Sequence, residues 1–334
     1  MVDANQHHQQ KQVLQPVLVL GPPLIFEHFE SQYSHKYTFL KAFASSLPIE
    51  QFLETHRVDP TSIRAILCNP FQRVSAEVLR LLPSLGIVVT SSIGTDHIDL
   101  AECYSRRVQV ATAGGLFSED VADLAVGLLI DVLRKISAGD RYVRRRVDEF
   151  QPWNYPLGSK VGGKRVGIVG LGKIGILVAR RLEAFGCRVV YNSRKEKAFV
   201  SYPFYSNVVD LAADSDALVL CCPLTEQTYH MVNREVMLAL GKEGVIVNIG
   251  RGALIDEKEL VQCLMEGKIG GTGLDVFENE PNVPKELFEL DNVVLSPHAA
   301  ALTLECFNST CEDVARNLEA FFSSQPLVSP IMDA

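Results

Sequence analysis

The chain has 334 residues, a length that predicts two domains at about 150 residues each. With 32 Lys and Arg against 40 Asp and Glu, its formal net charge is −8, so the chain as a whole does not attract nucleic acid or an anionic membrane. Hydrophobic residues at 47% are typical of a globular protein, and no apolar run approaches the roughly 18 residues that a membrane helix needs.

The N-terminal residues and the cysteines indicate the compartment. Residues 1–13 are rich in Gln and His and lack the basic and apolar regions of a secretory signal, which predicts a disordered tail. The eight cysteines form no C-x-x-C pair, and several lie in apolar runs. This usage is typical of buried, reduced thiols. We therefore expect a cytoplasmic protein without a metal site.

In chain order, short apolar runs alternate with stretches of helical period, which predicts an α/β fold with parallel sheets covered by helices on both faces. The first series predicts strands at 17–20, 63–67, 87–90 and 108–110, and helices near 48–55 and 74–82. A connecting helix is predicted over about 118–137. Ser118 is its expected N-cap, followed by acids that suit a helix N-terminus.

A second series of apolar runs begins after a loop at 153–158 that contains Pro and Gly. It predicts strands at 165–169, 188–191, 217–221, 245–248, 272–275 and 293–295. The helix between the strands at 245–248 and 272–275 is well marked, because Asp256 is an N-cap, Glu259 completes a capping box and Gly267 ends the helix.

A glycine-rich loop joins the first strand of the second series to the next helix. Residues 166–175 read VGIVGLGKIG. In this G-x-G-x-x-G, Gly170 permits a tight turn, Gly172 lets the backbone approach a pyrophosphate, and Gly175 lets helix and strand pack closely. The helix N-terminus adds free N–H groups for phosphates. We assign to dinucleotide binding the residues Gly170, Leu171, Gly172, Lys173, Ile174 and Gly175.

The turn after the following strand carries basic residues where an NAD site has an acid. It reads Asn192, Ser193, Arg194 and Lys195. Arg194 can fork onto a 2′-phosphate, Lys195 adds charge, and Asn192 or Ser193 can donate a hydrogen bond, so the turn predicts NADPH over NADH. The alternative is a basic turn that is merely solvated.

Three strand ends of the second series carry the groups that reduction of a 2-keto acid requires, which are a cation, an acid and a partner for that acid. Arg251 follows one strand between two glycines, several acids lie at 275–280, and His298 follows the last strand. Ligands bind at the carboxyl ends of strands in such sheets, so these loops should converge. His97 is a rival proton donor at another strand end, and His230 is a weaker one.

Motifs in the same order along the chain resemble those of the D-isomer-specific 2-hydroxyacid dehydrogenases. The string NIGRGALIDEKELVQCLMEGKIGGTGLDVFENEP at 248–281 and SPHAA at 296–300 carry the main resemblance. CPLT at 222–225 with Thr228, EDVAD at 119–123 and IGTDHID at 93–99 are similar to further family motifs. The resemblance spans nearly the whole chain after the tail. Within the family, the chain is most similar to the plant NADPH-dependent glyoxylate, hydroxypyruvate and hydroxyphenylpyruvate reductases.

The resemblance implies a catalytic set. Arg251 binds the carboxylate and keto oxygen of the substrate, His298 donates the proton, and Glu280 pairs with His298. A carboxylate beside an imidazole favours its charged form, so we expect a pKa of His298 above the reference value of about 6.5. Asp275 is implied to bind the nicotinamide carboxamide, with an ordinary strand-end acid as the alternative.

Further site residues are also implied by the resemblance. The cofactor contacts include Cys222, Pro223, Thr228 and Ile249. The backbone of Ser92, Ile93 and Gly94 is implied to bind the substrate carboxylate. Phe71, on the loop at 69–72, either narrows the pocket or stacks on an aromatic substrate. Trp153 corresponds to a residue that in some relatives reaches the partner subunit's site, with a packed core or interface tryptophan as the alternative.

The resemblance also implies the domain organisation. A flavodoxin-like substrate domain comprises 14–113 and 297–334, and a Rossmann-type, doubly wound cofactor domain comprises 114–296, with a cleft between them. A homodimer is expected.

Together these observations predict reduction of a small 2-keto acid, glyoxylate or hydroxypyruvate, to the D-2-hydroxy acid with NADPH, and more weakly with NADH. Hydroxyphenylpyruvate reductase is the alternative within the family. Phosphoglycerate dehydrogenase is disfavoured because it predicts an NAD-type acid after the second strand of the cofactor domain. An alternative of another class is an NAD(P)-sensing, corepressor-like interaction protein.

Overall fold

The computed structural model describes residues 14–23, 26–145, 151, 153 and 155–331. The tail predicted at 1–13 lies outside these residues. The strands are β1 (Gln15–Val19), β2 (Tyr37–Lys41), β3 (Ala65–Cys68), β4 (Ile87–Thr90), β5 (Gln109–Ala111), β6 (Arg165–Val169), β7 (Arg188–Asn192), β8 (Phe204–Tyr205), β9 (Ala217–Leu220), β10 (Val245–Asn248), β11 (Gly271–Leu274) and β12 (Val293–Leu295).

The α-helices alternate with these strands. They are α1 (Phe26–Tyr33), α2 (Ile49–Thr55), α3 (Ala76–Arg80), α4 (Leu100–Ser105), α5 (Ser118–Arg134), α6 (Ile136–Arg145), α7 (Lys173–Ala184), α8 (Val208–Ala213), α9 (Arg234–Leu240), α10 (Glu257–Met265) and α11 (Leu304–Phe322). None of the helices in the described part of the chain is long and apolar enough to cross a membrane.

The chain divides into two compact units. The first comprises Met1–Phe117 and Thr303–Ala334, and the second comprises Ser118–Leu302. The first unit contains a five-stranded sheet in the order β2-β1-β3-β4-β5, in which all paired strands are parallel. This is the flavodoxin-like strand order. The predicted flavodoxin-like fold of this part is confirmed.

The second unit contains a seven-stranded sheet in the order β12-β11-β10-β9-β6-β7-β8, again with parallel pairing. Counted from β6, this is the Rossmann order with one strand added. The order reverses between β6 and β9, and a ligand is expected at this switch point. The predicted doubly wound cofactor fold is confirmed.

The central strands are buried from end to end because they are covered on both faces. β3, β4, β9 and β10 have no exposed residue, which matches the continuous apolar runs in the sequence. Two strands were not predicted, β2 and β8. Both lie at a sheet edge and are partly exposed, so they lack the buried run that marks the others.

The predicted connecting helix is two helices. The chain breaks at Lys135, which has a φ of 55°, and Asp131 accepts hydrogen bonds from the backbone N–H and the hydroxyl of Ser137. The prediction of Ser118 as an N-cap is wrong. Ser118 is the first residue of α5, and its buried Oγ has no hydrogen-bond partner among the described residues.

The helix predicted after Asp256 is confirmed with its N-cap and its end, but the predicted capping box is not formed. The Asp256 side chain accepts a hydrogen bond from the N–H of Glu259, whereas the Asp256 N–H donates to the Val232 carbonyl and the Glu259 carboxylate accepts from Arg234. Gly267, just after the helix, has a φ of 63°, a conformation that glycine adopts without strain. This helix, α10, connects β10 to β11 and so places the loops after both strands at one edge of the sheet.

Candidate active site

A histidine and a glutamate meet at the carboxyl end of the second sheet. Glu280 lies on the loop that follows β11 (residues 275–281, the acid loop), and His298 follows β12. Nδ1 of His298 lies 2.8 Å from Oε2 of Glu280. The two side chains are 33% and 30% exposed. The imidazole can therefore exchange protons with solvent while it remains hydrogen-bonded to Glu280.

The carboxylate of Glu280 is held in its charged form. Burial raises its pKa, but the hydrogen bonds from His298 and from the N–H of Phe277, with the charges of His298 and Arg251, outweigh burial and place the pKa of Glu280 below its ordinary value. The Phe277 N–H donates to Oε1 over 2.9 Å. A fixed carboxylate beside an imidazole favours the imidazolium.

Asp275 anchors the loop that carries His298 (residues 296–300, the His loop). It is 1% exposed, and its carboxylate accepts hydrogen bonds from the Ser296 hydroxyl (2.5 Å) and from the N–H groups of Ala299 (2.7 Å) and Ala300 (3.1 Å). Its carbonyl accepts the N–H of His298. Both carboxylate oxygens thus bind the His loop, while the predicted contact with the nicotinamide carboxamide stays a prediction.

These bonds hold a strained backbone. His298 has a φ of 55°, in the left-handed region that side chains other than glycine rarely adopt. Such strain persists only where the surrounding structure fixes it. The four hydrogen bonds to Asp275 are that restraint, so the direction of the imidazole depends on a residue that the sequence alone did not connect to it.

Arg251 follows β10 and packs beside the acid loop. A Cβ at Gly252 would overlap the carbonyl group of Phe277, so only glycine allows the two loops to touch here. The Arg251 Nη1 donates to the Gly250 carbonyl over 2.9 Å, and its charge reaches Glu280. The structure therefore brings together the predicted trio of Arg251, Glu280 and His298.

The glycine loop lies at the switch point, between β6 and α7. Gly170 has a φ of 98°, and a Cβ there would lie 2.6 Å from the Cys222 nitrogen. A Cβ at Gly175 would collide with the Gly170 carbonyl, whereas a Cβ at Gly172 would meet no described atom within 4 Å apart from its chain neighbours. Among the described residues, no side chain caps α7. Leu171 is buried, and Lys173 and Ile174 open the helix. This open, uncapped N-terminus fits a pyrophosphate.

The basic turn after β7 presents two cations to solvent. Arg194 and Lys195 are exposed, and Ser193 donates to the Lys195 carbonyl over 2.5 Å. Asn192 is 9% exposed, and its side-chain amide donates to the Tyr205 carbonyl. Asn192 therefore ties β7 to β8 through its amide nitrogen, which leaves Arg194 and Lys195 as the groups suited to a phosphate.

The loop after β9 faces the glycine loop at its first residues. Cys222 abuts Gly170. The Thr228 hydroxyl donates to the Pro223 carbonyl and accepts the Thr225 N–H, which closes the loop on itself. Ile249, after β10, is 7% exposed. Cofactor contacts for Cys222, Pro223, Thr228 and Ile249 stay predictions.

In the first unit, the predicted substrate residues follow β3 and β4. Phe71 is 74% exposed, and its N–H donates to the Asn69 side chain. Ser92 is buried, and its hydroxyl donates to the Gly94 carbonyl over 2.7 Å. Within the described part of the chain, the N–H groups of Ile93 and Gly94 have no hydrogen-bond acceptor. Two unoccupied donors on one turn suit a carboxylate.

His97 and His230, the two other candidate proton donors, are hydrogen-bonded to other side chains. His97 Nε2 lies 3.0 Å from the Thr90 hydroxyl in the first unit. His230 Nε2 lies 2.9 Å from a carboxylate oxygen of Glu278, and its ring stacks on Tyr229. Both contacts favour His298 as the proton donor. Among the described residues, no group of three His, Cys, Asp or Glu side chains could hold a metal ion.

A doubly wound sheet with a phosphate loop at its switch point, and an arginine, a glutamate and a histidine at the same edge, defines a dinucleotide-dependent oxidoreductase. Residues 126–300 match the family described as D-isomer specific 2-hydroxyacid dehydrogenase, NAD binding domain. The chain is 51% identical over 321 residues to a glyoxylate/hydroxypyruvate reductase of Arabidopsis thaliana, covering 95% of this chain and 97% of the relative.

Two further matches agree. A hydroxyphenylpyruvate reductase of Plectranthus scutellarioides is 49% identical over 271 residues, covering 81% of this chain and 86% of the relative. The crystal structure of an NADPH-dependent glyoxylate/hydroxypyruvate reductase from Sinorhizobium meliloti, in complex with NADP and malonate, matches with a TM-score of 0.83 and 32% identity, covering 95% and 96% of the two chains. The chain belongs to the D-isomer specific 2-hydroxyacid dehydrogenase family, and the predicted similarity to plant reductases is confirmed.

Proposed function

We propose that this protein reduces glyoxylate or hydroxypyruvate to the D-2-hydroxy acid, with NADPH as the preferred cofactor. The observation that carries the proposal is the hydrogen-bonded pair of His298 and Glu280 beside Arg251, at the carboxyl edge of a dinucleotide-binding sheet. The 51% identity to a plant glyoxylate/hydroxypyruvate reductase supports this choice of substrate.

The chain supplies binding and proton transfer, while bound NADPH supplies the hydride. Arg251 binds the carboxylate and the keto oxygen, so its charge stabilises the negative charge that develops on that oxygen. His298 donates a proton to the same oxygen and regains one from solvent. Glu280 occupies Nδ1, which directs Nε2 toward the substrate and stabilises the charged ring before transfer.

The cofactor preference depends on the basic turn. Arg194 and Lys195 are exposed and form no ion pair with any described residue, so both can bind the 2′-phosphate that distinguishes NADPH from NADH. The Ser193 hydroxyl fixes the turn through the Lys195 carbonyl. The backbone of Leu171, Gly172, Lys173 and Ile174 binds the pyrophosphate.

The first unit contributes substrate specificity in this proposal. The N–H groups of Ile93 and Gly94, on the turn that Ser92 closes, bind the substrate carboxylate. Phe71 offers an exposed aromatic face. That exposure favours hydroxyphenylpyruvate as a second candidate substrate, because an aromatic ring can stack there.

A steady-state panel tests the proposal. Purified protein is assayed with glyoxylate, hydroxypyruvate and hydroxyphenylpyruvate, each with NADPH and with NADH, and the product is resolved on a chiral column. We expect turnover with glyoxylate or hydroxypyruvate, a higher kcat/KM with NADPH and a D product. Turnover with hydroxyphenylpyruvate alone would select the second candidate. Dinucleotide binding without any turnover would contradict the reductase and favour a cofactor-sensing binding protein.

A homodimer is a further part of the proposal. Trp153 and Leu157 are each 94% exposed, and Ile136 and Val143 on α6 are also exposed. Apolar side chains this exposed are typical of an interface, and a second copy of this chain is the occupant we propose. Light scattering should give a dimer that Leu157→Glu weakens. A monomer at micromolar concentration would contradict this part.

The cytoplasmic location stays a prediction. Its support is that the eight cysteines are thiols, six of them buried, as is usual in a reducing compartment. Two fusions to a fluorescent protein, one at the N-terminus and one at the C-terminus, would test the location by microscopy. Accumulation in an organelle or secretion would contradict it.

A further inference from the structure

A chain of hydrogen bonds runs beneath the turn after β4 in the first unit. The Ser92 hydroxyl donates to the Gly94 carbonyl over 2.7 Å. The Thr90 Oγ1 lies 2.9 Å from the Ser92 Oγ and 3.0 Å from Nε2 of His97. Thr90 is fully buried and Ser92 is 6% exposed. Because these groups are shielded from water, a broken link would leave a buried polar atom unpaired.

The direction of every proton in this chain follows from the number of donors. A carbonyl only accepts, so the single Ser92 proton goes to Gly94. Thr90 must then donate to Ser92, since Ser92 has no second proton. Nε2 of His97 then donates to Thr90 over this 3.0 Å contact, while the Cys68 Sγ lies farther from the same nitrogen, at 3.7 Å. We therefore assign the Nε2–H form to His97.

The backbone of His97 is fixed as well. Its carbonyl accepts the N–H of Val74 over 2.8 Å, and the Val74 carbonyl accepts the N–H of Asp99. Val74 is fully buried in the core of the unit. The core thus fixes the backbone of His97. The ring of His97 in turn positions Thr90, Thr90 positions Ser92, and Ser92 positions the carbonyl of Gly94.

We propose that His97 is a positioning residue for substrate binding. Through Thr90 and Ser92 it holds the Gly94 carbonyl inward, and so presents the N–H groups of Ile93 and Gly94 as a donor pair for the substrate carboxylate. This inference rests on the proposed function. It assigns His97 to substrate binding and not to proton transfer.

Variants of the chain test the proposal. Thr90→Val removes one hydroxyl without a change of shape, and His97→Met removes the donor. We expect either change to raise KM for glyoxylate and the inhibition constant of oxalate by about tenfold, with kcat and KM for NADPH within about twofold. The double variant should be no worse than either single variant, because both break one chain.

Two controls separate this role from a general loss of structure. His97→Gln keeps an N–H at the same distance from the backbone and should restore KM. Thr95→Val removes a hydroxyl on the same turn that is not in the chain and should leave KM unchanged. The proposal would be overturned if folded His97→Met kept its KM for glyoxylate, or if His97→Gln did not restore that KM. It would also be overturned if His97→Met or Thr90→Val lowered kcat strongly and left KM unchanged.

A measurement on the unaltered protein does not depend on how variants fold. Nitrogen-15 NMR of labelled histidine should show the Nε2–H form of His97 near pH 8, and an Nδ1–H tautomer would overturn the inference. If no keto acid is turned over, calorimetry of oxalate with the same variants still tests the donor pair. Failure of the proposed function is thereby separated from failure of this inference.

Discussion

His298 donates its backbone N–H to the carbonyl of Asp275, and the carboxylate of the same aspartate binds three further groups of the His loop. The residue proposed to move the proton is thus held by its main chain, while Glu280 holds its ring at Nδ1. Two different acidic residues therefore fix the main chain and the ring of one histidine. The two contacts can be tested by separate substitutions.

Asp275→Asn should lower kcat by about 10- to 100-fold, because one amide group cannot accept all three hydrogen bonds and a displaced acid is a poor proton donor. The dissociation constant of NADPH should stay within about threefold, as measured by fluorescence titration. Ser296→Ala removes one of the three donors and should cost less than about fivefold in kcat. If Asp275→Asn weakens NADPH binding with kcat unchanged, Asp275 acts on the nicotinamide instead.

Glu280→Gln should lower kcat/KM for reduction by about 10- to 100-fold. The Glu280 carboxylate, whose pKa is held below its ordinary value although burial opposes this, lies 2.8 Å from Nδ1 of His298 and favours the protonated donor, and glutamine does not. Steady-state kinetics measures the loss. An unchanged kcat/KM would show that Glu280 does not assist the donor.

Arg194→Ser should raise KM for NADPH by about tenfold or more and leave KM for NADH within about twofold, since the guanidinium binds only the extra phosphate. Arg188→Ser, at the opposite end of β7, is the matched control and should change neither value. Steady-state kinetics with both cofactors measures the effect. An equal loss with NADH and NADPH would contradict the assignment of Arg194.

Glu257 gives a prediction about stability. It is 8% exposed, and burial, with the nearby Glu278 and Glu280, raises its pKa although a backbone hydrogen bond opposes the shift. A carboxyl whose pKa is raised on folding destabilises the fold where it is ionised. Glu257→Gln should therefore raise the unfolding midpoint at pH 7 to 8 by roughly 1 to 3 °C.

The gain from Glu257→Gln should shrink as the pH falls through the raised pKa of Glu257 toward the ordinary value of 4.5, and it should be absent below that value, because the carboxyl is then neutral in both states. Glu289→Gln, at an exposed position of the same unit, is the control and should not shift the midpoint in this way. Differential scanning calorimetry across pH 4 to 8 measures both. A lower midpoint for Glu257→Gln at pH 8 would contradict the sign.

The sequence predicted those features whose physical cause is local. Asp256, Glu259 and Gly267 define a helix by contacts only a few residues apart, and the buried runs of β9 and β10 follow from coverage of both faces. The break at Lys135 was missed because Asp131 caps a helix that begins beyond it, without a Gly or Pro to mark the place.

In the candidate site, too, some features could be predicted from the sequence and others could not. The positions of Arg251, Glu280 and His298 follow from the rule that parallel strands end at one edge. The anchoring role of Asp275 could not be read from the sequence, because its three donors come from a loop more than 20 residues away. A Ser two residues before the histidine is the one signal that the sequence offered.

The most direct test is single-turnover oxidation of NADPH with glyoxylate, comparing the unaltered protein with His298→Ala. The variant should bind NADPH with an unchanged dissociation constant and transfer hydride about 10² to 10⁴ times more slowly. If His298→Ala retains the rate within about threefold, His298 is not the proton donor and the account is wrong.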